Sequence, residues 1–517
     1  MAAAPRFVAA ELHQLIKGLS AIYAQGPNLP KGVTPDIVKA FGISTGLQPY
    51  DLSEALAYLY PVFSPVRNRT TRLHRQGRNF EFKAITNPDT SGASGEAQEF
   101  ELAPAIATQT ADVIAQFKSY GLSSDPVSYE QLYAGEGRAG DFGVDSRAVA
   151  VANLIKALFI KEERLVLFNH GATTQVTTQN NAPQNGLNWV VGGGLGNAPA
   201  PTVATGNTNT GGTLPASTPY DVVIAGVGTR AIVTGMSTVS NVIPFATGHA
   251  GESLPSAQVS ITTGTGSNNY LLVTPPSYGG PVPILGWKVY VGTASGGPYY
   301  YAGFTTGATL QVNTAPSSSN QTPAAADDTA GTNAFNSFSS YIWATNSGAT
   351  IYPVNGNLAV GNLRTFLGNM FANAYADPDS LYVSPQDSPT INDLAVGSGN
   401  PYYITLPEGS AQTDIIGDWR VNKWTNPVTG KVLAVRVHAY LPQGSIYALT
   451  EELPAWFVGN NVPSAHAIAL SMDYLQIDYP PTQTTPQWVT GLRCYGAPIS
   501  YLPSQDGVMT GITAPAA

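Results

Sequence analysis

The sequence predicts an α+β protein with an all-β sandwich inserted into it, and three patterns support this fold class. One uninterrupted helix signal runs from Asp145 to Asn169, in a chain otherwise rich in glycine, proline and threonine. Short strand-like runs separated by turn residues fill residues 202–320, where charged residues almost vanish. Linker-like segments flank that block, so we expect an insertion into a host domain that resumes after it.

Composition limits the possible functions. The chain has 517 residues, enough for more than one domain, and only 11% of them are charged, against about 25% in a typical soluble protein. This low charge favours a surface that is uncharged or buried against copies of the chain. The net charge of −9 argues against a dedicated nucleic-acid binder. No stretch of apolar residues is long enough to span a membrane, so no membrane association is expected.

The long helix signal has a regular apolar face. Asp145 is suited to cap its first turn, and Gly171 is suited to end it. The apolar face is formed by residues at three- and four-residue steps: Val151, Ile155, Leu158 and Leu165. The charged residues are expected to face solvent or neighbouring subunits: Lys156, Lys161, Glu163 and Arg164. The apolar face is expected to pack on a sheet completed by the C-terminal strands.

The N-terminal part of the chain reads as a helix, an arm and a hairpin. Residues 1–60 combine an amphipathic helix with a proline-broken arm that needs neighbours to bury its apolar groups. Alternation in residues 79–85 predicts a strand, followed by a turn-rich tip and a return strand at Glu96–Leu102. A further strand is predicted at residues 107–122, and a capped short helix at residues 123–133.

Charged residues cluster at the base of this hairpin and on its predicted return strand. Five arginines lie at its base and three glutamates on its predicted return strand: Arg67, Arg69, Arg72, Arg75, Arg78, Glu96, Glu99 and Glu101. The arginines can be interpreted as a nucleic-acid contact, or as ion pairs with a carboxylate-rich partner or with the return strand. Because the chain is acidic overall, we favour ion pairing and treat all eight residues as candidates for a subunit interface.

Sequence signatures of catalysis are not found. The chain contains no GxSxG, P-loop, HExxH or CxxC motif, and its six histidines form no i,i+4 pair. Cys494, the one cysteine, is interpreted as a structural thiol in a strand, and it allows no internal disulfide. Asp377, Asp379 and Asp387 fit a turn and a helix cap better than a pair of catalytic carboxylates. We therefore expect no enzyme, no cofactor and no metal.

After the insertion, the host domain resumes with alternating elements. Helices are predicted at residues 333–346 and 357–376, and a buried strand at 381–383 runs into a turn and a short helix. A hairpin is predicted around Asn426–Gly430, with further strands after it. Two long strands, at 469–480 and 487–502, close the chain. They must pair with something, and the strand before the long helix is the expected partner.

This order of elements resembles the major capsid protein of tailed double-stranded DNA bacteriophages, the Hong Kong 97-type fold. The resemblance is carried by YPVFSPVRNR at 60–69, VANLIKALFIKEERLVLFNHG at 151–171, LYVSPQD at 381–387, NPVTGKVLAVRVHAYLPQGSIYALTEELP at 426–454, SMDYLQIDYP at 471–480 and WVTGLRCYGAPI at 488–499. No single motif is specific, but their order and spacing are. GESLPS at 251–256 and GWKVYVGTASG at 286–296 resemble fibronectin type III and related immunoglobulin-like modules.

The resemblance implies a division of the chain into named parts. These are an N-terminal helix and arm (1–60), an E-loop hairpin (61–104), a peripheral domain with the spine helix (105–175 and 456–517), an axial domain (176–201 and 321–455) and an inserted immunoglobulin-like β-sandwich (202–320). Some family members lose an N-terminal scaffolding segment by proteolysis. Because this chain begins at Met1, we expect no such loss.

The resemblance also implies a function. The chain would self-assemble, as hexamers and pentamers, into the icosahedral shell that encloses a double-stranded DNA phage genome. Its partners would be copies of itself and possible portal, scaffolding or decoration proteins, without sequence-specific nucleic-acid binding. Its location would be the virion, assembled in the host cytoplasm. The alternative is a β-rich carbohydrate-binding or adhesin-type surface protein centred on the inserted sandwich.

Overall fold

A computed structural model describes most of the chain between residues 64 and 513. The described ranges are 64–89, 107–128, 146–173, 175–176, 178–179, 190–207, 211–234, 248–293, 296–397, 422–453, 462, 464–479 and 487–513. The predicted helix and arm at 1–60, Asp145 and the glutamates at 96, 99 and 101 lie outside these ranges.

The chain divides into two compact units. The first comprises Met1–Pro61, Ser123–Leu154 and Asp478–Thr490, and the second comprises Val62–Leu122, Ile155–Ile477 and Gly491–Ala517. In the first unit, the described residues include a two-strand contact in which Val127 pairs with Trp488. Val127 and Ser128 are therefore in a strand, whereas the sequence predicted a short helix there. The sites discussed below belong to the second unit.

The described residues form six α-helices and a 3-10 turn. The helices are α1 (Pro65–Arg69), α2 (Ser146–Phe168), α3 (Arg230–Thr234), α4 (Phe338–Ile342), α5 (Val360–Ala374) and α6 (Asp387–Gly397), and the turn is Pro503–Gln505. The helices predicted around α2, α4 and α5 and after the strand at 381–383 are thus confirmed.

The described strands fall into two groups along the chain. Before α4 lie β1 (Thr71–His74), β2 (Asn79–Asp89), β3 (Ala107–Gln116), β4 (Lys118–Ser123), β5 (Val127–Ser128), β6 (Gln175–Val176), β7 (Thr178–Gln179), β8 (Val190–Val191), β9 (Thr202–Asn207), β10 (Pro219–Gly228), β11 (Val259–Thr262), β12 (Asn269–Thr274), β13 (Ile284–Gly292), β14 (Tyr300–Thr305) and β15 (Leu310–Val312). After α4 lie β16 (Thr350–Asn357), β17 (Ser380–Val383), β18 (Lys423–Thr425), β19 (Val432–Val437), β20 (Ile446–Leu449), β21 (His466–Tyr479), β22 (Gln487–Ser500) and β23 (Gly507–Thr513).

The two long C-terminal strands complete one sheet, here called the closing sheet. Its order is β1-β21-β22-β4, with β5 added on β22. The expected pairing of the C-terminal strands with the strand before the long helix is therefore confirmed. Strand β1 joins the other side of β21 in parallel, with Thr71 opposite Ala467 and His74 opposite Leu470.

Helix α2 packs against this closing sheet, as the sequence predicts. Val166 and Phe168 share one apolar cluster with Ala469 of β21 and Cys494 of β22. The sequence-based assignment of the helix's charged residues was partly wrong, because Glu163 is fully buried. Every residue from 162 to 170 is buried, so this end of the helix is surrounded by protein on all sides.

The hairpin pairs β2 with β3 over almost its whole length. Asn79 lies opposite Gln116 and Asp89 opposite Ala107, and the short strand β7 adds to β3. The return strand within the described residues is thus at 107–116, whereas the sequence predicted it at Glu96–Leu102. Both segments have strand-like composition, and the alternation of residues along a strand does not show which other strand it pairs with.

A six-stranded sheet carries the segment after the insertion. Its order is β16-β23-β20-β17-β19-β18, and the predicted turn at 426–430 joins β18 to β19. Strand β23, the last strand of the chain, was not predicted from the sequence. One face packs on α5 through residues buried in a second apolar cluster: Leu363, Phe366, Leu367 and Met370 of α5 with Leu381, Ile446 and Met509 of the strands.

Strands β9–β15 with α3 form what we call the two-sheet module. One sheet has the order β11-β10-β13-β14 and the other β15-β12-β9, and residues of both share a third apolar cluster. Helix α3 of this module buries Ala231 and Ile232 in the apolar cluster that contains the end of α2. The flanking segments look like linkers by composition, yet Asp327 accepts the backbone N–H of Gly196 at 2.8 Å. The two flanking segments are therefore hydrogen-bonded to each other.

Candidate functional site

The candidate site is the attachment of the hairpin base to helix α2, here called the hairpin anchor. It consists of Glu162 and Glu163 of α2, Arg67 of α1, Arg72 of β1 and Tyr474 of β21. The two glutamates are consecutive, so their side chains leave the helix about 100° apart and reach different partners. Both are fully buried, and a buried carboxylate requires compensating donors.

Glu163 caps the start of α1. Its carboxylate accepts the backbone N–H of Val66 at 3.0 Å and that of Arg67 at 2.8 Å. The first N–H groups of a helix have no partner within the helix, and Ser64 makes no side-chain cap bond. A residue of the long helix, 97 positions away from Val66, therefore supplies the cap.

His438 supplies a further donor to Glu163. Its Nε2 lies 2.9 Å from Glu163 Oε1, and its Nδ1 accepts the backbone N–H of Tyr440 at 3.3 Å. Because Nδ1 acts as an acceptor, we assign the proton to Nε2, which then donates to the carboxylate. The aromatic rings of Phe168 and Tyr382 pack against the imidazole, with ring centroids 6.0 and 6.1 Å from its centroid, respectively.

Glu162 is the centre of a buried cluster of donors. Arg67 Nε donates to it, Arg72 Nη2 donates at 2.6 Å, Tyr474 Oη at 2.5 Å and Tyr120 Oη at 2.9 Å. Both arginines also donate to the hydroxyl oxygen of Tyr474. The carboxylate is thus bonded to two elements of the hairpin base and two strands of the closing sheet, β21 and β4.

The pKa shifts of this cluster follow from burial and charge. Burial alone would raise the pKa of Glu162, but the Arg72 and Arg67 guanidiniums hold it below its usual range. Burial, and then the Glu162 charge, raise the pKa of Tyr474 and of Tyr120. Both phenols therefore stay protonated and keep donating to an ionised carboxylate.

The two arginines of the anchor also contact neighbours outside Glu162. Arg67 lies over the ring of Phe159, with 4.0 Å between its guanidinium carbon and the ring centroid. Arg72 forms a second ion pair with Asp473 at 2.8 Å. The anchor therefore fixes the segment that leads into β2 by charge, hydrogen bonds and aromatic contacts together.

The other predicted contact residues are positioned differently. The Arg69 side chain is nearly half exposed, and its Nη1 lies 3.2 Å from Glu451 Oε2. Exposed ion pairs of this kind contribute little to stability. Arg75 and Arg78 are exposed, and Glu96, Glu99 and Glu101 lie outside the described residues. The structure thus brings two of the eight predicted residues, Arg67 and Arg72, to one site.

Sequence reasoning missed the glutamates, tyrosines and histidine of this site. Glu162 was not singled out, and Glu163 was expected at the surface, although both lie near the buried end of an apolar helix. Arg164 was expected at the surface too, but it is buried, with its guanidinium carbon 4.4 Å from the ring centroid of Tyr440. The available signal was a pair of adjacent carboxylates in the one long helix together with an arginine-rich segment elsewhere in the chain.

Cys494 and Asp387, which the sequence offered as candidates for chemistry, have contacts that indicate structural roles. Burial raises the pKa of the Cys494 thiol to about 12, so it is a poor nucleophile at neutral pH. Asp387 accepts the hydroxyl of Ser384 at 2.7 Å and the backbone N–H of Gly444 at 2.9 Å. Among the described residues, no group of three or more His, Cys, Asp or Glu side chains could hold a metal ion. No described helix has both the length and the apolar character needed to cross a membrane.

Comparisons with known proteins gave matches among solved structures. No protein-family model matches the sequence, and no curated protein matches it. A structure described as the cyanophage A-1(L) capsid asymmetric unit has 10% sequence identity and a TM-score of 0.41, covering 90% of this chain and 97% of that chain. Mycobacterium phage Adephagia has 10% identity and a TM-score of 0.39, with 91% and 96% covered. The capsid of a native GTA particle has 7% identity and a TM-score of 0.38, with 92% and 98% covered.

Proposed function

We propose that this chain is a major capsid protein of the Hong Kong 97-type, which self-assembles into the icosahedral shell around a double-stranded DNA phage genome. In this proposal the protein acts by assembly and not by catalysis. The support from this chain is the order of its elements. The hairpin, the long helix, the two-sheet module, strands β16–β20 of the six-stranded sheet and the closing strands β21 and β22 follow one another as the sequence resemblance requires.

The observation that carries the proposal is the way the β2–β3 hairpin is held. Strand β2 has 11 residues, about 36 Å at roughly 3.3 Å per residue, and its described side chains, at residues 79–83, belong to the base. Phe80 and Val113 are buried there, whereas Glu81, Lys83 and Ile114 are exposed. In this proposal the ribbon, which is anchored by buried charges at its base, packs against a neighbouring copy in the shell.

The composition supports the same proposal. Only 11% of the residues are charged, and a low surface charge permits large contacts between copies. The net charge of −9 keeps a container from binding its DNA tightly. No specific feature of the described residues favours the carbohydrate-binding alternative, so it is not part of the proposal.

The finer assignments belong to the proposal as well. Residues 1–60 form the N-terminal helix and arm, 61–104 the E-loop hairpin, 105–175 with 456–517 the peripheral domain, 176–201 with 321–455 the axial domain, and 202–320 an inserted immunoglobulin-like sandwich. The two-sheet module supports the last assignment, because its sheets share one apolar cluster. The shell is assembled in the host cytoplasm from hexamers and pentamers, with portal, scaffolding or decoration proteins as further partners.

The test is the assembly state of the purified full chain and of a hairpin-shortened variant. Residues 84–111 are replaced by Asn-Gly, which closes a two-residue turn between Lys83 and Asp112, partners in the hairpin register. The wild type is expected to sediment as capsomers or shells visible by negative-stain microscopy. The variant is expected to fold, with an unchanged anchor, but to form no shells. A wild type that stays a monodisperse monomer at high concentration contradicts the proposal, and so do normal shells from the variant.

A further inference from the structure

The five arginines at the hairpin base are not equivalent in the folded chain. Arg67 and Arg72 are held by Glu162, and Arg69 is paired with Glu451. Arg75 and Arg78 have no carboxylate within ion-pair distance among the described residues. They lie in a run from residue 74 to 79 in which every residue is exposed. Among the described residues, these two are therefore the arginines of the cluster that form no ion pair within the chain.

The turn that carries these two arginines is fixed at both ends. The backbone N–H of Arg75 donates to the carbonyl oxygen of Leu470 at 2.8 Å, and Phe117 donates to the carbonyl oxygen of Arg78 at 2.9 Å. Gly77 between them adopts φ of +110°, a conformation that side chains rarely allow. The backbone of this turn is therefore held in one conformation at the surface.

Arg75 is also oriented by an aromatic ring. Its guanidinium carbon lies 5.7 Å from the ring centroid of Phe80, whose own side chain is buried in the main apolar cluster. A guanidinium held by a cation–π contact loses less conformational freedom when it binds a partner. Arginines with this kind of support are frequent among the residues that dominate protein interfaces.

We infer that Arg75 and Arg78 form a docking point for carboxylates of a second copy of this chain. The inference rests on the proposed function and names one contact of the assembly. A guanidinium recognises carboxylates and phosphates alike, so charge decides between the two sources. Each copy has a net charge of −9 and offers exposed carboxylates such as Glu81, Asp393 and Glu452.

Nucleic acid is the less favourable partner for this docking point. Two basic residues neutralise about two phosphates, whereas DNA-binding proteins commonly use about 6–10 such contacts. The remaining surface of an acidic chain repels the phosphate backbone. Copies of the same acidic chain, in contrast, supply the carboxylates that two isolated guanidiniums require.

The test uses the full chain with both charges reversed, Arg75→Glu with Arg78→Glu. A matched control reverses two exposed basic residues elsewhere, Arg364→Glu with Lys423→Glu, which changes the net charge equally. We expect the first variant to keep the wild-type unfolding midpoint while its shell yield falls roughly tenfold or more, because like charges then face each other. The control is expected to assemble at the wild-type yield.

Milder substitutions at the same two positions separate the loss of charge from a folding defect. If the reversed variant fails to fold, Arg75→Gln with Arg78→Gln removes the charges without adding new ones and should still lose shells, whereas Arg75→Lys with Arg78→Lys should retain them. Shells at the wild-type yield from the glutamate or glutamine pair overturn the inference. Shells at wild-type yield with altered DNA content also overturn it, because phosphate is then the ligand. If the wild type itself forms no capsomers or shells, the proposed function fails, and that result is distinct from these.

Discussion

The carboxylate of Glu163 accepts the backbone N–H of Arg67 at 2.8 Å, so a residue of the long helix caps a short helix at the hairpin base. The neighbouring Glu162 holds the side chain of the same arginine. Backbone and side chain of one residue are thus fixed by two consecutive glutamates. This arrangement transmits the position of α2 to the hairpin, because neither carboxylate can move without losing buried hydrogen bonds.

Replacing Glu163 by glutamine tests the cap. Glu163→Gln retains the volume but offers an amide group where donors converge, so one of Val66, Arg67 and His438 loses its acceptor. We expect the free energy of unfolding to fall by about 1.5–3 kcal/mol in urea titrations. Glu81→Gln, at an exposed position of β2, is the control and should stay within about 0.5 kcal/mol of wild type. Equal stability of the two variants would contradict the capping role.

Reversing the charge of Arg72 is expected to damage folding itself. Arg72→Glu brings a second carboxylate to within reach of Glu162, which is buried and already ionised. Leaving a buried charge without its partner costs about 3–5 kcal/mol, which should appear as a lower unfolding midpoint before any assembly is measured. The exposed Arg75→Glu should leave this midpoint unchanged. A well-folded Arg72→Glu protein would show that Glu162 is satisfied without this arginine.

The stability of the chain should depend on His170 between pH 6.5 and 4. Burial lowers the pKa of His170 to about 4, and its ring nitrogens contact Ser340 and the carbonyl oxygen of Gly193. The unfolded chain, with a pKa of about 6.5, binds the proton first, so this contribution is complete above pH 6.5 and is lost as the pH falls towards 4. Full titration corresponds to roughly 3 kcal/mol.

The matched measurement is urea unfolding at several pH values for wild type and His170→Gln. Glutamine can still donate to the carbonyl oxygen of Gly193 but does not titrate in this range. The variant should be less stable at pH 7 and should lose less stability than wild type on acidification. Parallel pH profiles would mean that His170 is not the titrating group.

Thr229 links the two-sheet module to the end of α2. Its hydroxyl donates to the carbonyl oxygen of Phe168, one of the last carbonyls of the helix, at 2.8 Å. Thr229→Val keeps the shape and should lower the free energy of unfolding by about 1–2 kcal/mol. Thr234→Val removes an exposed hydroxyl in the same segment and should change it by less than about 0.5 kcal/mol. A larger effect at Thr234 would refute this assignment.

A buried ion pair joins the two motifs that suggested the module. Lys288 of GWKVYVG donates to Glu252 of GESLPS at 2.9 Å, and the Tyr290 hydroxyl donates to the same carboxylate at 2.5 Å. Burial lowers the pKa of Lys288, and Glu252 opposes that shift. Lys288→Met should cost about 3–5 kcal/mol, because it leaves a buried carboxylate without its cation.

The double variant Lys288→Met with Glu252→Gln removes both charges. It should be more stable than the single variant, since no uncompensated charge remains. Thermal and urea unfolding of the two proteins make the comparison. A double variant as unstable as the single one would mean that packing, and not charge, explains the loss.

The sequence was informative wherever a regular period persists over many residues. Helix α2, helix α5 and the strands β21 and β22 were predicted because apolar positions recur at helical or strand spacing. Short elements were less visible. Strand β23 has only seven residues and one of them, Gly511, has a positive φ. The pairing of β3 with β2 was not predicted, because two neighbouring segments both resemble strands and only pairing distinguishes them, and the predicted return strand at Glu96–Leu102 lies outside the described residues.

The sequence by itself determined the fold class, the long helix, the closing strands and the resemblance on which the proposed function rests. These features depend on periodicity and order, which are local properties of the chain. Only the tertiary structure decided which arginines pair with Glu162 and which are exposed, because Glu162 lies 95 positions from Arg67 and no local pattern joins them. Whether a charged residue is buried depends on what folds around it, and that information lies in distant parts of the chain.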